Sequence, residues 1–206
     1  MNKNIIIRRE TERDYHAVEC LTRDAFWDVY KPGCDEHLVA HKLRQSKSFL
    51  PDLDFVAVHD GCCIVGNIMY SVAQVIDDSG CVNSVLTFGP LSVLPEFQRQ
   101  GVGAGLVRHS LTVAQKTKYS AVIIFGDPAY YHRFGFENAN KFGITTADGA
   151  NFDAFMALEL QDHALESITG RFYEDNVFHI DPVELTEFEK AFPFREKHVT
   201  DTQLKL

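Results

Sequence analysis

The spacing of apolar and polar positions changes several times along the chain, and each change marks an element. Ile5 to Arg8 reads as a first strand, and Thr11-Glu12-Arg13-Asp14 as a helix start, with Thr11 capping and acidic residues in the first turn. Tyr15, Val18, Leu21, Thr22, Ala25 and Phe26 then recur on one helical face. Asp35 to Lys47 is a second helical segment, and Asp54 to His59, followed by Asp60-Gly61, reads as a strand ending in a turn. Ile64 to Ile76 and Val82 to Leu94 are long β-rich runs whose close succession predicts an antiparallel meander.

Beyond them, Val102, Leu106, His109 or Ser110, and Val113 mark one face of a helix. The unbroken apolar run Ser120 to Phe125 predicts a strand covered on both faces and parallel to the one before the helix. A right-handed crossover places the intervening turn at the carboxyl end of the strand Val85 to Leu94. Phe155 to Leu160 reads as a further strand. Asp181-Pro182-Val183-Glu184 opens a short helix, with Asp as cap, Pro at the first position and Glu reaching back as in a capping box. Leu185, Phe188 and Phe192 give that helix its apolar stripe. The fold predicted is α/β (α+β), a mixed and mostly antiparallel central sheet with helices on both faces. With no Pro/Gly/Ser linker, residues 1–206 read as a single domain, with a core at about 5–160 and an extension, 161–206, packed on the sheet.

The turn Gln98-Arg99-Gln100-Gly101-Val102-Gly103-Ala104 carries the chemistry. Gly101 and Gly103 lack a Cβ, so the backbone can turn tightly and approach a ligand, while the first free N–H groups of the helix converge on the turn. Phosphate suits that place. A Walker A loop is excluded, because Gly103 is followed by Ala104 and Gly105 where Lys and Ser/Thr would be needed. A dinucleotide fingerprint has Gly101-x-Gly103 and Asp127 in its favour, but Leu106 stands where the third glycine belongs, and Pro95 to Gln100 separate the strand from the first glycine.

Leu91-Ser92-Val93-Leu94-Pro95-Glu96-Phe97-Gln98-Arg99-Gln100-Gly101-Val102-Gly103 resembles the central motif of the GNAT N-acetyltransferases, whose Gln/Arg-x-x-Gly-x-Gly/Ala core falls on Gln98, Gly101 and Gly103. Gly126 to Phe136 is similar to that family's Tyr-x-x-x-Gly-Phe segment. The similarity runs from about Ile5 to about Leu160, and within the superfamily the chain looks most like small bacterial acetyltransferases of uncharacterised substrate. The resemblance implies a GNAT-like sheet in which two parallel strands splay into a V-shaped cleft. It also implies acetyl-CoA as cosubstrate, with its pyrophosphate on Arg99 to Ala104, the Arg99 side chain as an extra cation, and its pantetheine arm along Leu91, Ser92 and Val93.

Acyl transfer to an amine requires a nucleophilic nitrogen and a proton for the departing thiolate. Tyr131 matches the family's tyrosine, and a phenol keeps its proton at neutral pH, so it is the expected donor; packing of Tyr130 and Tyr131 as core aromatics is the competing account. No Asp or Glu lies in Val85 to Leu94, which leaves Asp127, His132 or a solvent channel as proton acceptor. The resemblance also implies an acceptor pocket built from the first helices and the late strands, here Phe26, Trp27, Tyr30 and the region after Phe136. The leading function is therefore direct acetyl transfer to a primary amine in a ternary complex, the amine belonging to a small molecule or a protein. A non-catalytic acyl-CoA-binding regulator is the alternative, and a nucleotide-dependent oxidoreductase rests only on Gly101-x-Gly103 with Asp127.

Composition narrows the classes. A net charge of −9 argues against nucleic acid as partner, since phosphate contacts need clustered Lys and Arg. The N-terminal apolar run is too short for a signal peptide and no later run is long enough for a bilayer, so a soluble, cytoplasmic protein is expected, with a homodimer allowed. Five cysteines without Cys-x-x-Cys spacing predict no disulfide or zinc framework. Cys34, His37 and His41 are spaced so that a helix would place His37 and His41 on one face, but without a further ligand the expectation is a polar face and no metal.

Overall fold

In the computed structural model, residues 4–201 and 203 are described; Met1 to Lys3 of the N-terminal run lie outside them. The alternating runs become strands of one nine-stranded sheet. β1 (Ile5–Arg9), β2 (Phe55–His59), β3 (Cys63–Ile76) and β4 (Val82–Val93) pair antiparallel in chain order, so the predicted meander forms. Pairing slips between Ile68↔Leu91 and Tyr70↔Phe88, which leaves Gly89 and Pro90 as a bulge on β4.

Two helices, α1 (Tyr15–Phe26) and α2 (Glu36–Leu43), cover one face, with Val18 against Val56 and Val58, and Ala40 and Leu43 against Met69. α3 (Val102–Ala114) covers the other, burying Val102, Leu106, Val107 and Leu111 against Tyr70 and Leu86. Between His109 and Ser110, it is Ser110 that faces inward, hydrogen-bonded at 2.9 Å to the buried Tyr70 hydroxyl.

β5 (Ala121–Phe125) runs parallel to β4 but meets it in a single register pair, Leu86↔Val122. Past that point the strands part, and the rest of β5 is held by β8 (Phe155–Glu159), which in turn pairs with β6 (Glu137–Asn138). Two shorter strands, β7 (Ile144–Thr145) and β9 (Gly170–Tyr173), pair with each other, and β9 returns to the far end of β3 at Gln74 to Ile76. The result is the mixed, mostly antiparallel GNAT-like sheet with helices on both faces. No helix among the described residues is long and apolar enough to cross a membrane.

Within the tail, β9 joins the sheet and Leu165, Ile168 and Phe172 are buried in its core; after β9 the chain crosses α1 and α2, forms α5 (Pro182–Glu189) and continues past it. Asp181 caps α5, accepting from Val183 N–H at 2.7 Å, but Glu184 pairs with Lys42 of α2 and closes no capping box. Glu189 takes a double hydrogen bond from Arg23 and lies 2.7 Å from His37 Nε2. The Trp27 indole donates to Glu196 C=O at 3.0 Å between Arg23 and Arg195. Trp27 is thereby committed to the tail and removed from the expected acceptor pocket.

Candidate active site

Where β4 and β5 part, β4 keeps an unpaired edge inside the molecule. Leu94 N–H bonds Val65 C=O at 3.0 Å, so by the two-residue alternation of an antiparallel ladder Ser92 N–H also faces β3. Leu91 and Val93 therefore turn their N–H groups into the gap. The Ser92 side chain is buried away from it, its hydroxyl donating to Thr22 at 3.0 Å.

The turn that follows is shaped for close approach. Arg99 (φ 58) and Gly101 (φ 86) are left-handed, which reverses the chain so that α3 begins facing the gap. Its first main-chain bond is Gly105 N–H to Gly101 C=O, 2.9 Å, and the N–H groups ahead of it are those a helix start leaves free. A cavity of about 610 Å³ lies here. Leu91 and Val93 line it from the strand, and Gln98, Arg99, Gly101, Gly103 and Ala104 from the turn. Gln98 also ties turn to strand through its amide, which donates to Val93 C=O at 3.1 Å. The side chains of Gln100 and Val102 turn elsewhere: Gln100 donates to Glu96 C=O and Val102 is buried under the sheet.

Two residues missed in the sequence complete the cavity. Tyr130 and Arg133, from the segment after β5, line its opposite wall, the guanidinium 4.9 Å from the Tyr130 ring centre. A Cβ on Gly103 would stand 2.8 Å from the Tyr130 hydroxyl, so that glycine accommodates a tyrosine as well as a ligand. The tyrosine's period-3.6 neighbourhood and the helical phase of Arg133 carried no signal for this.

Tyr131 lies one residue on, in α4 (Pro128–Tyr131), which Asp127 caps by accepting from Ala129 N–H at 2.9 Å. His132 Nδ1 is 2.9 Å from Phe136 C=O, so both sequence candidates for the base hold the local turn. Tyr131 packs against Phe88 and Phe136, with ring centres 5.8 and 5.7 Å apart. Burial, with neighbouring hydroxyls and Asp127, pushes its phenol above the ordinary tyrosine range, so the proton stays on at neutral pH. A Cβ at Gly126 would overlap the Tyr131 ring at Cε2, so the glycine fixes where that ring lies.

A second cavity, about 290 Å³, opens along Thr87 to Pro90, with Phe88 in its wall. Glu36, the first residue of α2, and Glu174, just after β9, border it, and burial pushes each carboxyl up to about 7. Tyr30 stands close by, its hydroxyl raised by burial together with Glu36 and Asp127. Cys34, His37 and His41 do not converge on a metal: His37 meets Glu189, His41 meets Glu19 at 2.9 Å, and among the described residues no three His, Cys, Asp or Glu are grouped to hold one.

Residues 52–138 match the family model of the acetyltransferase (GNAT) domain. The chain is 31% identical over 166 residues, 81% of its length and 93% of the relative's, to the uncharacterised N-acetyltransferase YhbS of Escherichia coli K12. A crystal structure of YhbS from Escherichia coli in complex with CoA superposes with a TM-score of 0.75 at 28% identity, covering 86% of this chain and 93% of that one. A GNAT family acetyltransferase from Brucella melitensis in complex with acetyl-CoA gives 0.67 at 26% identity, with coverage of 84% and 97%.

Proposed function

Because this chain belongs to the GNAT superfamily of N-acetyltransferases, we propose that it moves the acetyl group of acetyl-CoA directly to a primary amine bound beside it, with Tyr131 as proton donor. The observation that carries the reading is the succession of the two cavities along β4: the carboxylate-bordered pocket at Thr87 to Pro90, then the cradle at Leu91 to Ala104. The cradle fits CoA because free N–H groups, the Arg99 and Arg133 guanidinium groups and the unpaired edge at Leu91 and Val93 suit, in order, a pyrophosphate, further phosphate charge and an amide-bearing arm.

Acetyl-CoA, when bound, supplies an acyl thioester whose C–S bond breaks as the C–N bond forms. Glu36 or Glu174 takes the proton of the incoming ammonium, and a carboxyl titrating near 7 is matched to that task at neutral pH. The Tyr131 hydroxyl donates to the departing sulfur and is replenished by the second proton that the nitrogen sheds on acylation. The sum is amide, free thiol and one proton released to solvent. The non-catalytic reading drew its support from the missing strand carboxylate, and Glu36 and Glu174 fill that place from other elements.

Calorimetric titration with CoA and NAD, followed by thiol release from acetyl-CoA across an amine panel, tests the proposal. CoA binding and amine-dependent thiol release are expected; binding of NAD in place of CoA would overturn it.

A further inference from the structure

The second cavity has a lining that constrains its occupant. Phe88, Phe125 and Phe178 give it apolar walls, while Thr87, Glu36 and Glu174 supply the polar groups. Asp35, also at its edge, is already paired with Lys31. Glu36 accepts only main-chain hydrogen bonds, from Asp35 N–H at 3.1 Å and from its own N–H. Among the described residues none donates to the Glu174 carboxylate, and none bonds the hydroxyl of Thr87, a residue only 3% exposed. Carboxylates set among phenyl rings are costly, and here Glu36 feels only the charge of Lys31, which Asp35 already pairs, while Glu174 has no cation beside it. An occupant that brings a positive charge and N–H donors on an apolar body relieves both carboxylates and can use the Thr87 hydroxyl as a further acceptor.

We infer that this cavity binds a small primary ammonium ion on an aryl or branched-alkyl body, with Glu36 and Glu174 receiving the ammonium and the Thr87 hydroxyl accepting one of its N–H groups. The volume, about 290 Å³, is at the low end for ligand pockets, which admits a single ring with a short side arm and excludes large oligocations. A carboxylate on the ligand would meet Glu36 and Glu174 and be repelled, so free amino acids are disfavoured against their decarboxylated amines. The identification of this ion as the acetyl acceptor rests on the acetyltransferase reading; the binding itself does not.

The test is calorimetric titration of phenethylamine, phenethyl alcohol and phenylpropionate into the full chain, with CoA titrated separately into the same protein. The amine is expected to bind and the neutral and anionic analogues to fail. Glu36→Gln and Glu174→Gln should each weaken the amine about tenfold or more, the effect of losing one charged hydrogen-bond partner, and leave CoA affinity unchanged. Thr87→Val, close in shape, should weaken it by a smaller factor. Equal binding of the alcohol, or unchanged amine affinity in both Gln variants, overturns the inference. Should a Gln variant fail to fold, the three-ligand comparison on the wild type decides alone. CoA binding with no amine binding sinks this inference and spares the acetyltransferase; amine binding without CoA binding does the reverse.

Discussion

At the scale of single residues, two neighbouring tyrosines have different work. Tyr130 lines the larger cavity beside Gly103, whereas Tyr131 lies against Phe88, a residue of the second cavity's wall. Tyr131→Phe keeps the ring and should lower turnover by roughly 10²- to 10⁴-fold with CoA affinity unchanged, while Tyr130→Phe should change CoA affinity first. Gly126→Ala should copy the turnover loss of Tyr131→Phe without touching any reacting group, because the added methyl displaces the ring. Steady-state kinetics beside CoA calorimetry on the three variants checks the set, and full turnover in Gly126→Ala would show that the ring position is not critical.

The raised carboxyls make a second residue-scale prediction. Burial lifts Glu36 and Glu174 from 4.5 to about 7, so the folded state holds their protons more tightly than the unfolded chain. A raised acid contributes stability that is full below its unfolded pKa and is lost as pH rises through the folded one. The groups facing them, the Lys31–Asp35 pair and Asp175, which accepts from Ser46 at 2.6 Å, are already partnered. Stability of the ligand-free protein should therefore fall between about pH 5 and 8, and the Glu36→Gln, Glu174→Gln double variant should lose part of that slope in denaturant titrations. Buried His37, held neutral and lowered to about 4, acts with the opposite sign in the acid part of the window, and it is common to both proteins.

At the scale of elements, the tail is anchored through Glu189. Arg23, whose side chain is 7% exposed, would be left buried and unpaired by Glu189→Ala, at a cost of about 3–5 kcal/mol. Glu187→Ala removes only an exposed pair with Lys190 and should cost under about 0.5 kcal/mol. Urea unfolding of both variants measures the contrast, and equal losses would mean that Glu189 is not the anchor. The strands, the three main helices and the glycine turn were legible in the sequence because period, caps and Gly101-x-Gly103 are local signals. Glu36 and Glu174 were not, because 138 positions apart in the chain they become neighbours of one cavity only when β9 returns to β3. Trp27 misled for the same reason: nothing near it in sequence announces Glu196.

At the scale of the whole molecule, the surface charge and the two cavities are consistent. A net charge of −9 suits an incoming cation, and the guanidinium groups of Arg99 and Arg133 lie together at the other cavity. The single pair Leu86↔Val122 has a further consequence. It makes the sheet a garment with a seam left open down the middle, closed at the bottom by one stitch and bridged on one side by α3. A pantetheine arm lying along β4 would sew that seam, and the two halves would then resist opening as one piece. With CoA, amide hydrogen exchange at Leu91 and Val93 should slow far more than at Ser92, whose N–H is already engaged with β3, and the melting temperature should rise as the ligand binds only the folded state, by about 2.7 kcal/mol of stability at a hundredfold excess over Kd. Equal slowing at all three amides would mean that the arm does not run along this edge. A fold that leaves its own sheet unfinished keeps, in that gap, the width of one more strand.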